Sequence, residues 1–369
     1  MINGKTLMPF SELLEDATKQ GTKLQTANYL REGKYPIIDQ GQEQIAGYTD
    51  ETIGAFDRVP CIVFGDHTRI IKYIEQPFFL GADGVKVLCP KSGSDNVKYL
   101  YYALQAVNIP DTGYNRHFKW LKESNIVVYP KEQQDRIVDA LDKVDSLISL
   151  RKKQLQKLDD LIKARFVEMF GDVIHNDRGW SYYRFSDIAT SRLGKMLDAK
   201  QQTGKNKFPY LANFNVQWFR FELDNLNEMD FSQADQKEFE LREDDLLVCE
   251  GGEIGRCAVW HNQIQPCFFQ KAIHRVRCDT RIVLPDYLAW WFKYQCDHNG
   301  FAAIEGAKAT IAHLPGAKLK SLQVAVPPID VQHKFISYVA LVDYSRRSIQ
   351  QGLEKLEQMK QALMQKHFG

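Results

Sequence analysis

The sequence predicts an α+β protein built as an internal duplication: two globular mixed α/β modules, each followed by one long helix, with the two helices pairing. Three observations carry this. Residues 129–171 recur without a gap at 327–369, an offset of 198; both copies space their apolar residues as helices do; and the segments ahead of them carry short β-like runs in the same order.

At 369 residues the chain exceeds one ordinary core, and roughly 150 residues per domain implies two or three units. A hydrophobic content of 44% with 26% charged residues describes a soluble globular protein. The Met1–Phe10 stretch lacks a basic region followed by an apolar one, and no run approaches the roughly 18 apolar residues of a membrane span, so a cytoplasmic location is expected. Seven cysteines are scattered with no Cys-x-x-Cys pair, which signals neither a disulfide framework nor zinc and fits buried reduced thiols. The formal net charge of +1 argues against a nonspecific nucleic-acid coat; any DNA binding must come from local charge.

The expected order is a module over 1–128, a helix over 129–171, a module over 172–326 and a helix over 327–369. In the first module the lead-in Lys34–Ile38, the buried-strand signature Cys61–Gly65 with its polar turn Asp66–Arg69, the Pro77–Phe79 run and the aromatic helix Tyr99–Tyr102 follow one another. The second repeats them as Lys207–Leu211, Leu246–Cys249 with the turn Glu250–Arg256, Pro266–Phe269 and Tyr287–Phe292, with different loops. Gly171–Trp180 reads as a polar hinge.

Each long helix opens after a proline and stops at a glycine. The first seam runs through Ile137, Leu141, Val144, Ile148, Leu155, Leu158, Ile162 and Met169, with Arg151 and Arg165 in the skipped slots. The second runs through Phe335, Val339, Val342, Ile349, Leu353, Leu356 and Leu363, with Arg346, Lys360 and His367 in the skipped slots. A seam this long asks for a partner helix, most simply the other copy, over rods of about 60 Å. Two ordinary long core helices are the plainer alternative. The skipped-slot cations read first as snorkelling or register-setting residues.

No phosphate-binding loop, dinucleotide fingerprint or zinc-protease helix occurs, and Pro327-Pro328 is followed by Ile329 rather than the aromatic that an amino-methyltransferase motif needs. Nucleotide hydrolysis and methyl transfer are therefore not expected of this chain. A hydrolase built on Cys249 with His261, His274 or His313 has no support in spacing, and a cysteine in an apolar strand is more often inert core.

The module–helix–module–helix plan, the Phe-Gly ends of both rods and the Pro-x-x-x-Gln openings (Pro130 to Gln134, Pro328 to Gln332) resemble the specificity subunits of Type I restriction-modification enzymes. The resemblance covers essentially the whole chain. It implies target-recognition modules that each read one half of a split DNA site, and rods that pair as an antiparallel coiled coil, set the spacing and bind the methyltransferase subunits. Motor-endonuclease subunits would complete the complex; S-adenosylmethionine, ATP and magnesium would belong to the partners, with no cofactor or metal in this chain. The turns at Phe64–Arg69 and Glu250–Gly255 look like the family's glycine-containing loop, and Tyr114–Lys119 like the polar stretch before its last strand; the second half departs there with Ala307–His313.

Candidate phosphate contacts are Lys19, Lys23, Arg31 and Arg69 in the first module, and Lys195, Lys200, Lys205, Lys207, Arg256 and Lys308 in the second. Candidates for base edges are His67, Asn115, Arg116, Gln201, Gln202, Gln270 and Lys271, with His117 in the same loop. For any one of these a solvated surface group or turn former is the plainer reading. Gly65, Gly251, Gly252 and Gly255 serve equally as turn glycines. Two rival functions stand: the recognition subunit of a two-subunit Type II-like restriction-methylation enzyme, and a coiled-coil scaffold that never touches DNA.

Overall fold

The structure is a computed structural model describing residues 4–81, 83–93, 95–197, 203–301 and 313–369. The chain divides into two compact units, one of Met1–Gln154 with Ile349–Gly369, the other of Leu155–Ser348.

In the first unit an antiparallel sheet runs in the order Leu14–Asp16, Val85–Pro90, Cys61–Gly65, Ile71–Ile74. A second sheet runs Gly47–Thr49, Tyr35–Ile38, Phe79–Leu80, its last pairing parallel, and Thr6–Pro9 pairs with Asn125–Val128. The second unit repeats all three in the same order: Ala189–Leu193, Ile273–Cys278, Leu246–Cys249, Cys257–Val259; then Asn227–Asp230, Lys207–Leu211, Phe268–Phe269; then Ser181–Arg184 with Gln323–Val326. Register agrees as well, since Ile37 stands opposite Phe79 and Tyr210 opposite Phe268. The central strands Cys61–Gly65 and Leu246–Cys249 are buried at every position, which is why they read as unbroken apolar runs rather than alternating ones. The second unit adds a ribbon of Val216–Gln217 against Arg220–Phe221.

The aromatic helices extend over Val97–Gln105 and Pro285–Asp297. Asn96 caps the first by accepting from the backbone N–H groups of Lys98 and Tyr99, and Pro285 occupies the start of the second. Each is bolted down by a tyrosine hydroxyl: Tyr99 donates to the Val127 carbonyl at 2.8 Å and Tyr287 to the Ala325 carbonyl at 2.7 Å.

The long helices span Lys131–Phe170 and Ile329–Phe368. Their shared glutamines have a structural reason. Gln134, 1% exposed, accepts the Asn96 N–H at 3.0 Å and donates to the Tyr129 carbonyl at 2.8 Å. Gln332, 0% exposed, accepts the Leu284 N–H and donates to the Pro327 carbonyl, both at 2.8 Å. Each side chain thus satisfies backbone groups at two helix starts that would otherwise be buried without partners.

Within each unit the two helices are antiparallel. In the first, Lys360 meets Asp145 at 2.7 Å and Glu357 meets Lys152 at 3.2 Å; in the second, Arg346 meets Asp159 at 2.5 Å and Phe335 packs on Phe166. All the seam residues are buried or half-buried, and so are the skipped-slot cations: Arg165 lies on Glu168 and over Tyr338, Arg346 on Asp159, Lys360 on Asp145, and Arg151 on the Gln154 side-chain oxygen. Gly171 ends the first helix with a positive φ of 72° and an N–H bond to the Val167 carbonyl at 2.8 Å.

The segment after it, expected to be a polar hinge, folds back on the helix instead. Trp180 Nε1 donates to the Phe170 carbonyl at 2.8 Å and the Asp177 carboxylate takes the Asp172 N–H at 2.9 Å. The orphan carbonyls of a helix end supply the reason for this closure. Among the described residues no helix is long and apolar enough to cross a membrane. All seven cysteines are free thiols.

Candidate nucleic-acid interface

In the first module the central strand runs straight into its turn. Gly65 is required there by close approach rather than by φ, because a Cβ would lie 2.2 Å from Thr68 Oγ1. Asp66 is the hub. Its N–H bonds the Gly84 carbonyl at 2.7 Å, its own carbonyl accepts the His117 N–H at 2.7 Å and His117 Nδ1 at 3.0 Å, and its carboxylate accepts the Phe118 N–H at 2.8 Å. The loop before the last strand is thereby clamped onto the turn. His67 stacks on Tyr114 with centroids 4.6 Å apart and planes 7° from parallel, and its Nδ1 donates to the Asn115 carbonyl at 3.2 Å. Arg69 holds the far end, pairing with Asp111 at 2.8 Å and reaching the Ile109 carbonyl at 3.4 Å.

The candidates of the first module therefore divide. His67, Asn115, Arg116 and His117 come together at the turn, with His117 buried. Asn115 Nδ2 donates to the Thr112 carbonyl. Lys23 pairs with Asp83 at 2.9 Å. Lys19 and Arg31 are exposed, and among the described residues no hydrogen bond, ion pair or ring contact joins them to the turn.

The second module clamps its turn in the same place. The Glu250 N–H bonds the Ala272 carbonyl at 2.9 Å, and the Glu250 carbonyl accepts the Leu314 N–H at 2.6 Å. His274, buried beneath, donates from Nε2 to the Leu314 carbonyl at 3.1 Å; burial lowers its pKa, with the Leu314 bond and Glu250 opposing. Gly252 and Gly255 take φ of 82° and 77°, conformations that L side chains resist. Arg256 is spent inside the turn, its guanidinium on the Asn213 carbonyl at 3.0 Å and side-chain oxygen at 2.6 Å, while Asn213 Nδ2 donates to the Gly251 carbonyl.

Lys195 is 9% exposed, with its ammonium on Asp235 at 2.6 Å and the Asp230 carbonyl at 2.8 Å. Lys205 and Lys207 are exposed. Lys205 rides on a turn whose backbone is gathered by the Asp230 carboxylate, through the N–H groups of Thr203, Gly204 and Asn206; these bonds hold Asp230 below its ordinary pKa against the opposing pull of burial. Gln270 is half-buried, bonding the Leu211 carbonyl through its backbone, and Lys271 is exposed. Lys200, Gln201, Gln202 and Lys308 lie outside the described residues.

Sequence reading missed the carboxylates that organise these loops, Asp66 and Asp230, and the exposed ring of Tyr114. For Asp66 and Tyr114 the available signal was a turn glycine directly before them, Gly65 and Gly113; Asp230, between Met229 and Phe231, carried none. Cys249 contacts the Asn213 carbonyl and Arg256, and burial pushes its thiol up to about 11 even with Arg256 beside it, which leaves it a poor nucleophile.

Residues 8–160 and 177–358 each match the family described as Type I restriction modification DNA specificity domain. The chain belongs to that family. It is 21% identical over 354 residues to the Type I restriction enzyme EcoR124I/EcoR124II specificity subunit of Escherichia coli, covering 88% of this chain and 83% of that one. A putative Type I specificity subunit of Haemophilus influenzae is 24% identical over 270 residues, 70% of this chain and 67% of the relative. The crystal structure of the Type I restriction-modification S subunit from M. genitalium matches with a TM-score of 0.62 at 17% identity, covering 100% of this chain and 97% of that one. A structure concerned with assembly and conformational transition of the Type I system matches at 0.59 and 14% identity, over 99% and 97% of the two chains. At such identities these two likenesses are likenesses of fold. A specificity subunit is a recognition protein and not a catalyst, and the Type II-like reading gains nothing from these relatives.

Proposed function

We propose that this specificity subunit reads a bipartite DNA target with one module per half-site, while the two long helices set the spacing and dock methyltransferase subunits. The observation that carries this reading is the clamped turn at the end of the central strand, built twice on one topology with different exposed side chains. A shared scaffold with exchanged loops is what two readers of different sequences require. Motor-endonuclease subunits complete the complex, and S-adenosylmethionine, ATP and magnesium act in the partner chains.

Docking has its own support. Beyond their satisfied seams the helices keep apolar side chains exposed: Leu147, Leu150 and Met359 in the first unit, Leu161, Leu341 and Tyr344 in the second. Surfaces of this kind fit a protein partner.

The test is the methylated motif of a host expressing the complex. Exchanging residues 1–128 for another specificity subunit's module should change one half of the motif and leave the other half and the spacing intact; an unaltered motif overturns the reading. Binding to duplex DNA in the presence of the methyltransferase should weaken steeply with salt, whereas a flat response favours the scaffold.

A further inference from the structure

We infer that Arg116 is the base-reading residue of the first module, and that the half-site read there contains a guanine whose major-groove edge it recognises. This rests on the half-site reading above and deepens it to one side chain.

Most basic and amide groups around the 65–69 turn and its cleft are spent on protein partners; among the described residues Arg116 and Lys119 are the cleft cations with no hydrogen bond or ion pair, and Lys119 lies over the Trp120 ring, 4.1 Å from its centroid. Arg69 is committed to Asp111 and the Ile109 carbonyl. Lys23 is committed to Asp83. Asn115, a candidate for adenine, spends its amide nitrogen on the Thr112 carbonyl and hydroxyl. Arg116 is exposed and, among the described residues, makes no hydrogen bond or ion pair, although its charge helps hold the Asp83 carboxyl below its ordinary range, after the larger effect of Lys23. Among the described residues its five guanidinium donors therefore have no protein acceptor.

The backbone that presents this fork is fixed before any ligand arrives. His67 and His117 tie residues 115 and 117 to the turn, the Gly113 N–H bonds Asp111 at 3.0 Å, and the Asn115 N–H bonds the Gly113 carbonyl at 2.8 Å. A contact group on so braced a loop loses little freedom on binding, which converts contact into affinity and discrimination. Arg116 also borders an open cleft with Thr112, Asn115, Lys119 and Trp120. Tyr114, the residue before Asn115, is 87% exposed although stacked on His67. A planar fork at the mouth of such a cleft matches guanine, whose O6 and N7 accept two parallel N–H bonds from arginine.

The experiment uses the complex of this chain with its methyltransferase partners. Arg116→Ala should lower methylation of the native target about tenfold to a hundredfold, relax the requirement at one G·C pair of one half-site, and leave the other half-site unchanged. Replacing that guanine by 7-deazaguanine, which lacks N7, should weaken binding by the unaltered complex and have no effect on Arg116→Ala. A variant motif identical to the native one, or an equal 7-deazaguanine penalty for both proteins, overturns the assignment. If exchange of the whole module moves the motif while Arg116→Ala does not, only this inference falls and the half-site reading stands.

Discussion

Where the first module meets its rod, the Tyr102 hydroxyl lies between Asp142 at 2.7 Å and Asp145 at 3.0 Å, and Lys98 and Lys360 pair with the same two acids. The corresponding position in the second half is Trp290, and there rings replace charges: Phe335 packs edge-on against Trp290, Phe166 and Phe170 with centroids 5.9, 5.5 and 5.2 Å away. Around these different fillings the bonds of Gln134 and Gln332, and of Tyr99 and Tyr287, are the same. Side chains that satisfy buried backbone groups are retained because an unpaired group costs about 1–3 kcal/mol. A filling is exchangeable, since an ionic cluster bordering an open cleft and a largely buried aromatic one both leave these backbone bonds in place.

The sharpest way to break this comparison is to cut the fillings. Phe335→Ala should cost about 3–5 kcal/mol in urea or thermal unfolding of the second unit, the expectation for an aromatic removed from a sealed core. Tyr102→Phe should cost only about 1 kcal/mol, because its acids keep their lysines and water. Equal costs would deny that the two junctions differ in kind.

The conserved layer should respond unevenly too. Gln332→Leu is expected to cost about 3 kcal/mol, since it strands the Leu284 N–H and the Pro327 and Ile282 carbonyls, all backbone. Gln134→Leu should cost less, as one of its three partners is the Asp95 side chain, free to turn to solvent. The same unfolding measurement ranks them, and a larger loss for Gln134 would overturn the account.

The smallest effect is a pH dependence arising from His274 in the second unit. His274 occupies the ladder position that Lys86 holds in the first, opposite Val248 and Phe64 respectively. Burial lowers its pKa from the ordinary 6.5, so below that value the unfolded chain binds more protons than the folded one. Stability of the second unit should be intact above about pH 7 and fall as the pH drops through 6.5 toward the lowered folded value. Hydrogen exchange at the Leu314 N–H, followed from pH 7.5 to 5.5, would show faster opening on acidification; loss of that response in His274→Gln would confirm the source.

Much of this plan was legible. The rods announced themselves because a helical seam is a local, periodic demand repeated over many turns, and the pairs Lys34–Ile38 and Lys207–Leu211 marked true strand equivalents. The turns were legible as places, through their glycines. Their contents were not. Lys195 and Arg256 read as surface cations, yet one lies buried on Asp235 and the other on Asn213. Nothing local marks Asp235 as the partner of Lys195, forty positions away. The ribbon at 216–221, packed through Phe219 onto Trp290 at 4.2 Å, was equally silent, since its partner lies far along the chain.

Sequence alone determined the duplication, the two helices, the buried central strands and the lack of catalytic motifs, because periodicity, propensity and motif spacing act over a few residues. Only the tertiary structure decided which polar groups brace the reading loops and which stay free. Many of these pairings join residues well separated in the sequence, brought together when strands and helices pack, and that packing leaves Arg116 exposed while Arg69, Lys23 and Asn115 are engaged.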